Sequence, residues 1–513
     1  MIPGILSDEP IDPAAPFDVD LVRDLELDRL LDAMADGDDR VRGIARTVLL
    51  SPLCSRTALA RRQEAVAACR EHPDLITRLD AIAAGAVAQA HGRDDPLWML
   101  SLHPTAAQRT SHAAGRLGRL LPLLDELRQW CATSGRTLRS AAFRDLVHTV
   151  EQALDDDELG RLRAVQHELT LPGGVLVSAA LDGIGEVHAT RLRRPRPENK
   201  RLLGGAPLRH PDRTYRIPER DQAGFDAAAE LTERSLLRVA GTVSDGVAQL
   251  DRFFTALHDE LGFLLAVDRL RARLESIGVE LTVPSAAHPA TLDRPVAAQT
   301  GFRATGLVDP CLALRSGAVP VANDVEVAVD QVLVITGANH GGKSTLLRSI
   351  GVAQLMLQSG MPVAARSCSA ALVGRVHTHW PRAEDEGLVR GKLDDELARM
   401  RVVVDAVAPD DLLLSNESFA STNEREGSAI AFEVVTALVA SGVRVALVTH
   451  LFDLAVSLER DASTPTAFLR APRDAHGDRS FRLEVGPPLP TSFATDLFDR
   501  AFGTDLSRTR PAP

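Results

Sequence analysis

The stretch Val332–Ile350, VLVITGANHGGKSTLLRSI, runs from an apolar strand-like segment through a glycine-rich loop into a helical pattern. Gly337 to Ser344 fit the spacing G-x-x-x-x-G-K-[ST]. Glycines at these places let backbone N–H groups turn inward around a phosphate, with φ angles that other residues resist. A helix starting near Lys343 points its positive end at the same anion. The binding set is Gly337, Ala338, Asn339, His340, Gly341, Gly342, Lys343, Ser344 and Thr345. Lys343 is expected to reach the β- and γ-phosphates of ATP, and the Ser344 hydroxyl to ligate Mg²⁺. An apolar strand before the loop and Leu346, Leu347 and Ile350 on a helix after it separate this from a simple glycine turn.

Two further strand-like runs follow. DLLLSNES, Asp411–Ser418, has the form of a strand that ends at a metal, where an aspartate followed by a glutamate is usual. Here the tip is Asn416 and the next residue Glu417. Asn416 is expected to hold Mg²⁺ without a charge, and Glu417 to polarise the attacking water. The run around Val443–Val448 delivers His450, expected to sense the γ-phosphate. Short β-rich runs separated by helical patterns indicate a parallel sheet with crossovers, so residues 301–513 form an α/β P-loop domain.

The chain before it reads as mostly helical over residues 19–284, after a loose tail at 1–18. In FRDLVHTVEQAL the residues Phe143, Leu146, Val147, Val150 and Leu154 share one face. Leu236, Val239, Val243, Val247, Leu250, Phe254, Leu257, Leu261 and Leu264 recur at steps of three or four through a proline-free segment of roughly fifty residues, which predicts a long lever-like helix or a coiled-coil arm. An insertion at about 173–220 opens with a hairpin pattern around Gly183 and Gly185. Its end, residues 191–220, holds ten Arg or Lys against three acids and could grip phosphates. SAAHPATLDRPVAAQT, residues 285–300, reads as a linker.

The net charge of −12 confines any DNA contact to such a local patch. Five scattered cysteines without a CxxC pair argue against disulfides and zinc knuckles, and for a reducing cytoplasm. No signal peptide and no run of eighteen or more apolar residues is present, so no membrane association is expected and the localisation is read as cytoplasmic.

These motifs resemble those of the MutS family of DNA mismatch-repair proteins, whose ATPase domain is related to ABC-type ATPases. GANHGGKST is similar to that family's G-P-N-M-G-G-K-S-T; PVANDV (Pro320–Val325), NESFASTNEREGSAIA (Asn416–Ala431) and VTHLFDL (Val448–Leu454) are similar to other segments of its ATPase domain. LLSPLCSRTALARRQEAVAACREHPDLITRL (Leu49–Leu79) and HDELGFLLAVDRLRARL (His258–Leu274) are similar to its helical core. The resemblance implies a core and lever domain followed by an ATPase domain, acting as a homodimer closed by two nucleotides. The chain opens at the core domain, so a mismatch-reading domain is not expected. The family loop that reaches across the dimer corresponds to GLVRGKLDDELARM (Gly387–Met400), where Gly391 and Lys392 fit and the family's serines do not.

The sequence thus supports a slow, nucleotide-gated ATPase that binds mismatched or branched DNA in repair or recombination. The alternative is an ATP-binding scaffold that hydrolyses little and recognises DNA or a protein when closed.

Overall fold

Side-chain caps set where many of the helices begin. Asp18, Asp38, Ser55, Asp155, Asp309 and Asn423 each accept from amides of the first turn that follows, and Thr105 and Gln108 form a reciprocal capping box. The computed structural model describes residues 4–6, 11, 14, 17–91, 104–171, 174–181, 183, 187–193, 217–287, 300–338, 341–382, 391–472 and 480–488. In chain order, α1 (Val19–Asp24), α2 (Leu27–Ala35), α3 (Asp39–Leu50) and α4 (Arg56–Glu71) lead to α5 (Pro73–His91), α6 (Ala106–Thr133), α7 (Ala141–Ala153) and α8 (Asp156–Leu169). The hairpin β1 (Val177–Leu181) and β2 (Val187–Leu192) precedes α9 (Gln222–Ile277). Then come β3 (Ser285–Ala286), β4 (Thr300–Leu307), α10 (Pro310–Ser316), β5 (Asn323–Ala328), β6 (Val332–Gly337), α11 (Lys343–Gln358), β7 (Ser367–Ala370) and β8 (Val376–His379). The chain continues through α12 (Lys392–Ala406), β9 (Leu412–Asn416), α13 (Glu424–Ala440), β10 (Arg444–Val448), α14 (Phe452–Arg460), β11 (Thr466–Ala471) and β12 (Glu484–Val485).

The chain divides into two compact units. The first comprises Met1–Asp8, Asp74–Arg139 and Phe143–Leu261. Its helices bury the faces the periodicity marks: Phe143, Leu146, Val147 and Val150 on α7, and Leu236, Val247, Phe254, Leu257 and Leu261 on α9. The hairpin pairs antiparallel, with an irregularity between Ser178 and Ala180. Leu192 packs with Leu171 and Val175 against the buried trio Ala106, Leu236 and Ala240. Polar ties join the helices. Arg116 donates to Asp251 Oδ1 at 2.5 Å and to Ala86 O at 3.1 Å, His258 Nδ1 meets Asp80 Oδ1 at 2.7 Å, and Trp130 donates to Leu75 O at 3.1 Å. Within the segment expected to be a loose tail, Ile5 and Leu6 are buried and both amides donate to the Glu260 carboxylate.

The second unit comprises Glu9–Pro73, Ser140–Ala142 and Gly262–Pro513. Its main sheet has the order β12-β11-β6-β10-β9-β8. The five strands from β11 to β8 run parallel, and β12 closes the edge antiparallel. β6 is therefore central and β10 lies between it and β9. A parallel sheet is covered on both faces, which is why β6 and β9 are buried at every residue. On one face Val332, Val334, Leu413 and Leu447 join Val435, Leu438, Leu454 and Leu458 of α13 and α14 in one apolar cluster. A second sheet, β3-β7-β4-β5, lies in the same unit.

The division departs from the boundary expected at residue 284. Helices α1–α3 belong with the sheet because their apolar faces and polar ends find partners around α11. Gln358, at the end of α11, donates to Leu53 O at 3.0 Å and accepts Leu53's N–H on its own carbonyl at 3.1 Å. Arg348 of α11 bonds Glu26 Oε1 at 2.5 Å and Asp309 Oδ2 at 2.6 Å. In the expected linker, Ser285 and Ala286 pair with β7, while Arg56 donates to Ala286 O and Ala287 O; residues 288–299 lie outside the described ones. Cys69, Cys131, Cys311 and Cys368 are buried free thiols and Cys54 an exposed one. No helix among the described residues is long and apolar enough to cross a membrane.

Gly351 records how tightly this unit is packed. A Cβ there would stand 2.4 Å from Leu414 Cδ1 on β9 and 3.1 Å from Leu25 Cδ2. Gly351→Val is expected to destabilise the protein by about 2–3 kcal/mol, the overpacking cost exceeding any gain in helix propensity. An unchanged urea midpoint for unfolding of this unit would contradict that packing.

Candidate functional site

The site is assembled at the C-terminal ends of β6 and β9. Gly337 closes β6 at φ 110°, paired with Ala471 of β11, and a Cβ on it would stand 2.6 Å from the Ala471 backbone. Only glycine fits both the angle and the space. Gly342 starts α11 at φ 91°. Lys343 is only 4% exposed, and its ammonium donates to Gly337 O at 2.9 Å and Ala338 O at 3.2 Å. Next to it, Ser344 Oγ donates to Asn416 Oδ1 at 2.7 Å. The two residues assigned to a metal from sequence are thus in direct contact. Glu417 follows at φ 52°, half-buried, its amide donating to Val448 O at 2.8 Å.

A cavity of about 370 Å³ opens over these groups. Gly342, Lys343, Ser344, Thr345 and Glu417 line one part, and Leu312, Pro320, Val321, Asn323 and Phe481 the other. Asn323 gives the second part its shape. Its Nδ2 donates to Phe481 O at 3.1 Å and its Oδ1 accepts from Leu483 N at 2.7 Å.

Not every expected residue meets here. Ala338 and Gly341 are buried in the loop; Asn339 and His340 lie outside the described residues. His450 stands exposed two positions beyond β10 and is not among the residues that line the cavity. Thr449 accounts for this: its amide donates to Ile335 O and its Oγ1 accepts from Leu451 N, so the chain bends inward on either side of His450. Of the basic segment 191–220, residues 194–216 lie outside the described ones. Lys392 is exposed at the start of α12.

Behind Glu417 lies a polar cluster that the motif reading missed. His379, at the end of β8, is 2% exposed. Its Nδ1 meets Ser418 Oγ at 2.5 Å and its Nε2 the Glu396 carbonyl at 3.3 Å. A carbonyl only accepts, so Nε2 carries the proton and Nδ1 accepts from Ser418. Burial, with the positive charge of Arg399 next, lowers the His379 pKa to about 4, so the ring is neutral. Its stacking on Phe419, at 6.0 Å between centroids, completes the packing.

A parallel α/β unit with a glycine-loop cavity, together with a helical unit carrying one long helix, defines the class of protein. Residues 55–277 match the family model for the MutS2 N-terminal domain, and residues 333–482 that for MutS domain V. The chain belongs to the MutS family. It is 30% identical over 235 residues to a protein named Endonuclease MutS2 from Anaeromyxobacter sp. (strain Fw109-5), covering 44% of this chain and 28% of that one. The protein of the same name from Streptococcus uberis (strain ATCC BAA-854 / 0140J) is 34% identical over 147 residues, 28% of this chain and 19% of that one. The match therefore spans under a third of these relatives.

The neutral His379 has a measurable consequence. Below pH 6.5 the unfolded chain protonates this imidazole, whereas the folded chain does not until the pH approaches 4. Its contribution to stability is complete above pH 6.5 and declines as the pH falls from 6.5 towards 4. His379→Gln is expected to flatten that part of the urea-midpoint profile relative to the unsubstituted protein. Parallel profiles for the two would exclude a neutral, buried ring.

Proposed function

We propose that this protein binds ATP with Mg²⁺ in the cavity over Lys343 and hydrolyses it slowly, as a nucleotide-gated dimer acting on DNA in repair or recombination. The observation that carries the reading is the contact of Ser344 with Asn416 at 2.7 Å, beside an ammonium held under the loop. The triphosphate end of the ligand belongs with Gly342, Lys343, Ser344 and Thr345. The adenine end belongs with Pro320, Val321 and Phe481, an apolar wall pinned by Asn323.

Hydroxyl and amide oxygens are hard donors of the type Mg²⁺ accepts. Held by Ser344 and Asn416, Mg²⁺ would neutralise charge on the phosphates. Because both protein donors are neutral, the only carboxylate lining the cavity among the described residues is that of Glu417. It orients the attacking water, and Lys343 with the loop amides stabilises transferred charge. Turnover is slow because no anionic residue at position 416 draws in the metal.

The neutral Asn416 also favours a second reading, a scaffold that closes on ATP and hydrolyses little. In either reading the exposed start of α12, Gly391-Lys392, meets the second subunit, and residues 191–220 supply the DNA contact. The word endonuclease in the relatives' names describes those proteins.

Steady-state phosphate release separates the two readings. Under the first, Glu417→Gln abolishes release while ATP affinity stays within about threefold, and Asn416→Asp raises the rate and tightens the Mg²⁺ dependence. Binding of ATP with no release from the unsubstituted protein selects the scaffold, and no binding of ATP at all sinks both. DNA affinity is expected to fall with salt, log K against log salt having a slope of about −0.9 per phosphate neutralised. Charge reversal at Arg193, Arg194 and Arg196 should make that slope shallower, and an unchanged slope would remove the segment from the interface.

A further inference from the structure

Glu396 is a buried carboxylate on α12, 4% exposed, and both of its oxygens are spent on one loop. Oε1 accepts from Phe419 N at 2.9 Å and Oε2 from Ser421 Oγ at 2.5 Å. That loop begins with Glu417, and two of its residues, Glu417 at φ 52° and Phe419 at φ 62°, occupy the left-handed backbone region that side chains disfavour. Such a conformation persists only where its surroundings enforce it. The enforcing contacts are few and can be named: Glu417 N on Val448 O, Phe419 N on Glu396, and Ser418 Oγ between His379 and Ser415 Oγ. The Phe419 carbonyl lies against α13, where a Cβ on Gly427 would stand 2.4 Å from it. Glu417 is thus suspended between β10 on one side and α12 on the other.

We infer that Glu396 is a positioning residue for Glu417, and that α12 transmits the state of its own N-terminus to the water-orienting carboxylate. Lys392 begins this helix, and Glu396 follows one turn later, about 6 Å along the axis. Docking of a second copy of this chain against Gly391-Lys392 shifts or steadies α12. The carboxylate carries that displacement directly to Phe419 N–H and, two residues back, to Glu417. The inference rests on the role of Glu417 given under Proposed function.

The test compares Glu396→Ala and Glu396→Gln with the unsubstituted protein. Glu396→Ala leaves the Phe419 N–H without its acceptor; Glu396→Gln retains an acceptor oxygen. Glu396→Ala should lower kcat for ATP about tenfold or more while the Kd for ATP moves less than about threefold, and Glu396→Gln should recover most of the loss. Amide hydrogen exchange in the nucleotide-free protein should accelerate over residues 417–421 in Glu396→Ala and stay unchanged in β9 and β10. An unaltered kcat, or equal losses in kcat and affinity, overturns the inference. If the unsubstituted protein turns out not to hydrolyse ATP, the hydrolytic reading fails by itself, and exchange still decides this inference: unaltered protection over 417–421 overturns it. Ser421→Ala serves should Glu396→Ala not fold. It removes only the Oε2 donor and should speed exchange at 419–421 with the fold intact, and no change there counts against the inference.

Discussion

A buried ammonium must be met by acceptors or by an anion, because an uncompensated charge away from water is costly. At Lys343 the need is met by the carbonyls of Gly337 and Ala338, which turn inward as β6 ends. Much of the α/β unit follows from this arrangement. The carbonyls point inward because Gly337 adopts an angle closed to other residues, and it fits only because it has no side chain against Ala471. With Lys343 fixed at the first turn of α11, Ser344 is directed at the last residue of β9. That β9 ends within two residues of the end of β6 is a property of the parallel sheet, since β10 pairs with both and carries the register across: Val448 lies opposite Ile335 on one side and Asn416 on the other.

The end of β9 therefore gathers polar groups from β8, α11 and α12, which are far from it in sequence. Some face the cavity and some the interior. Ser344 and Glu417 line the cavity, with Asn416 held against Ser344; His379, Ser415, Ser418 and Glu396 form the inner set. The inner set is fully hydrogen-bonded around a neutral ring, which a low-dielectric interior tolerates far better than a partly paired one. On the loop side the charge distribution is consequently simple: one cation beneath the loop, a neutral hydroxyl–amide pair beside it, and one half-buried carboxylate next in the chain.

The elements with a strong period were legible from the residues. The face of α7, the length of α9, the hairpin and the strands β6, β9 and β10 all follow from apolar spacing and turn residues. The contact of Ser344 with Asn416 was legible too, because a loop motif and a strand end carry position as well as type. Other features were not. Amphipathic spacing in α1–α3 identifies an apolar face without saying which surface covers it; besides one another, these helices meet β8, α10 and α11, which lie far along the chain. Asn323 is 158 positions from Phe481, and nothing local marks the pair. Glu396 looks like any acid on the polar side of a helix; only the left-handed turn at Glu417 and Phe419 gives it a reason to be inside. His450 is exposed and outside the cavity lining, because a strand end fixes where the backbone arrives and not which way the next side chain faces.

The ties of Glu26 to Arg348 bridge 322 positions. On a ribosome adding about 5–20 residues per second, α1–α3 leave the tunnel some 15–60 seconds before the helix that will cover them. Through that interval Leu25, fully buried in the finished protein, lacks the Gly351 face of α11 against which it packs. Closing so wide a loop makes this the slow, non-local part of assembly. The α/β unit cannot be completed until a segment made 322 positions earlier returns to it, so a fragment beginning at residue 301 would lack part of its own core.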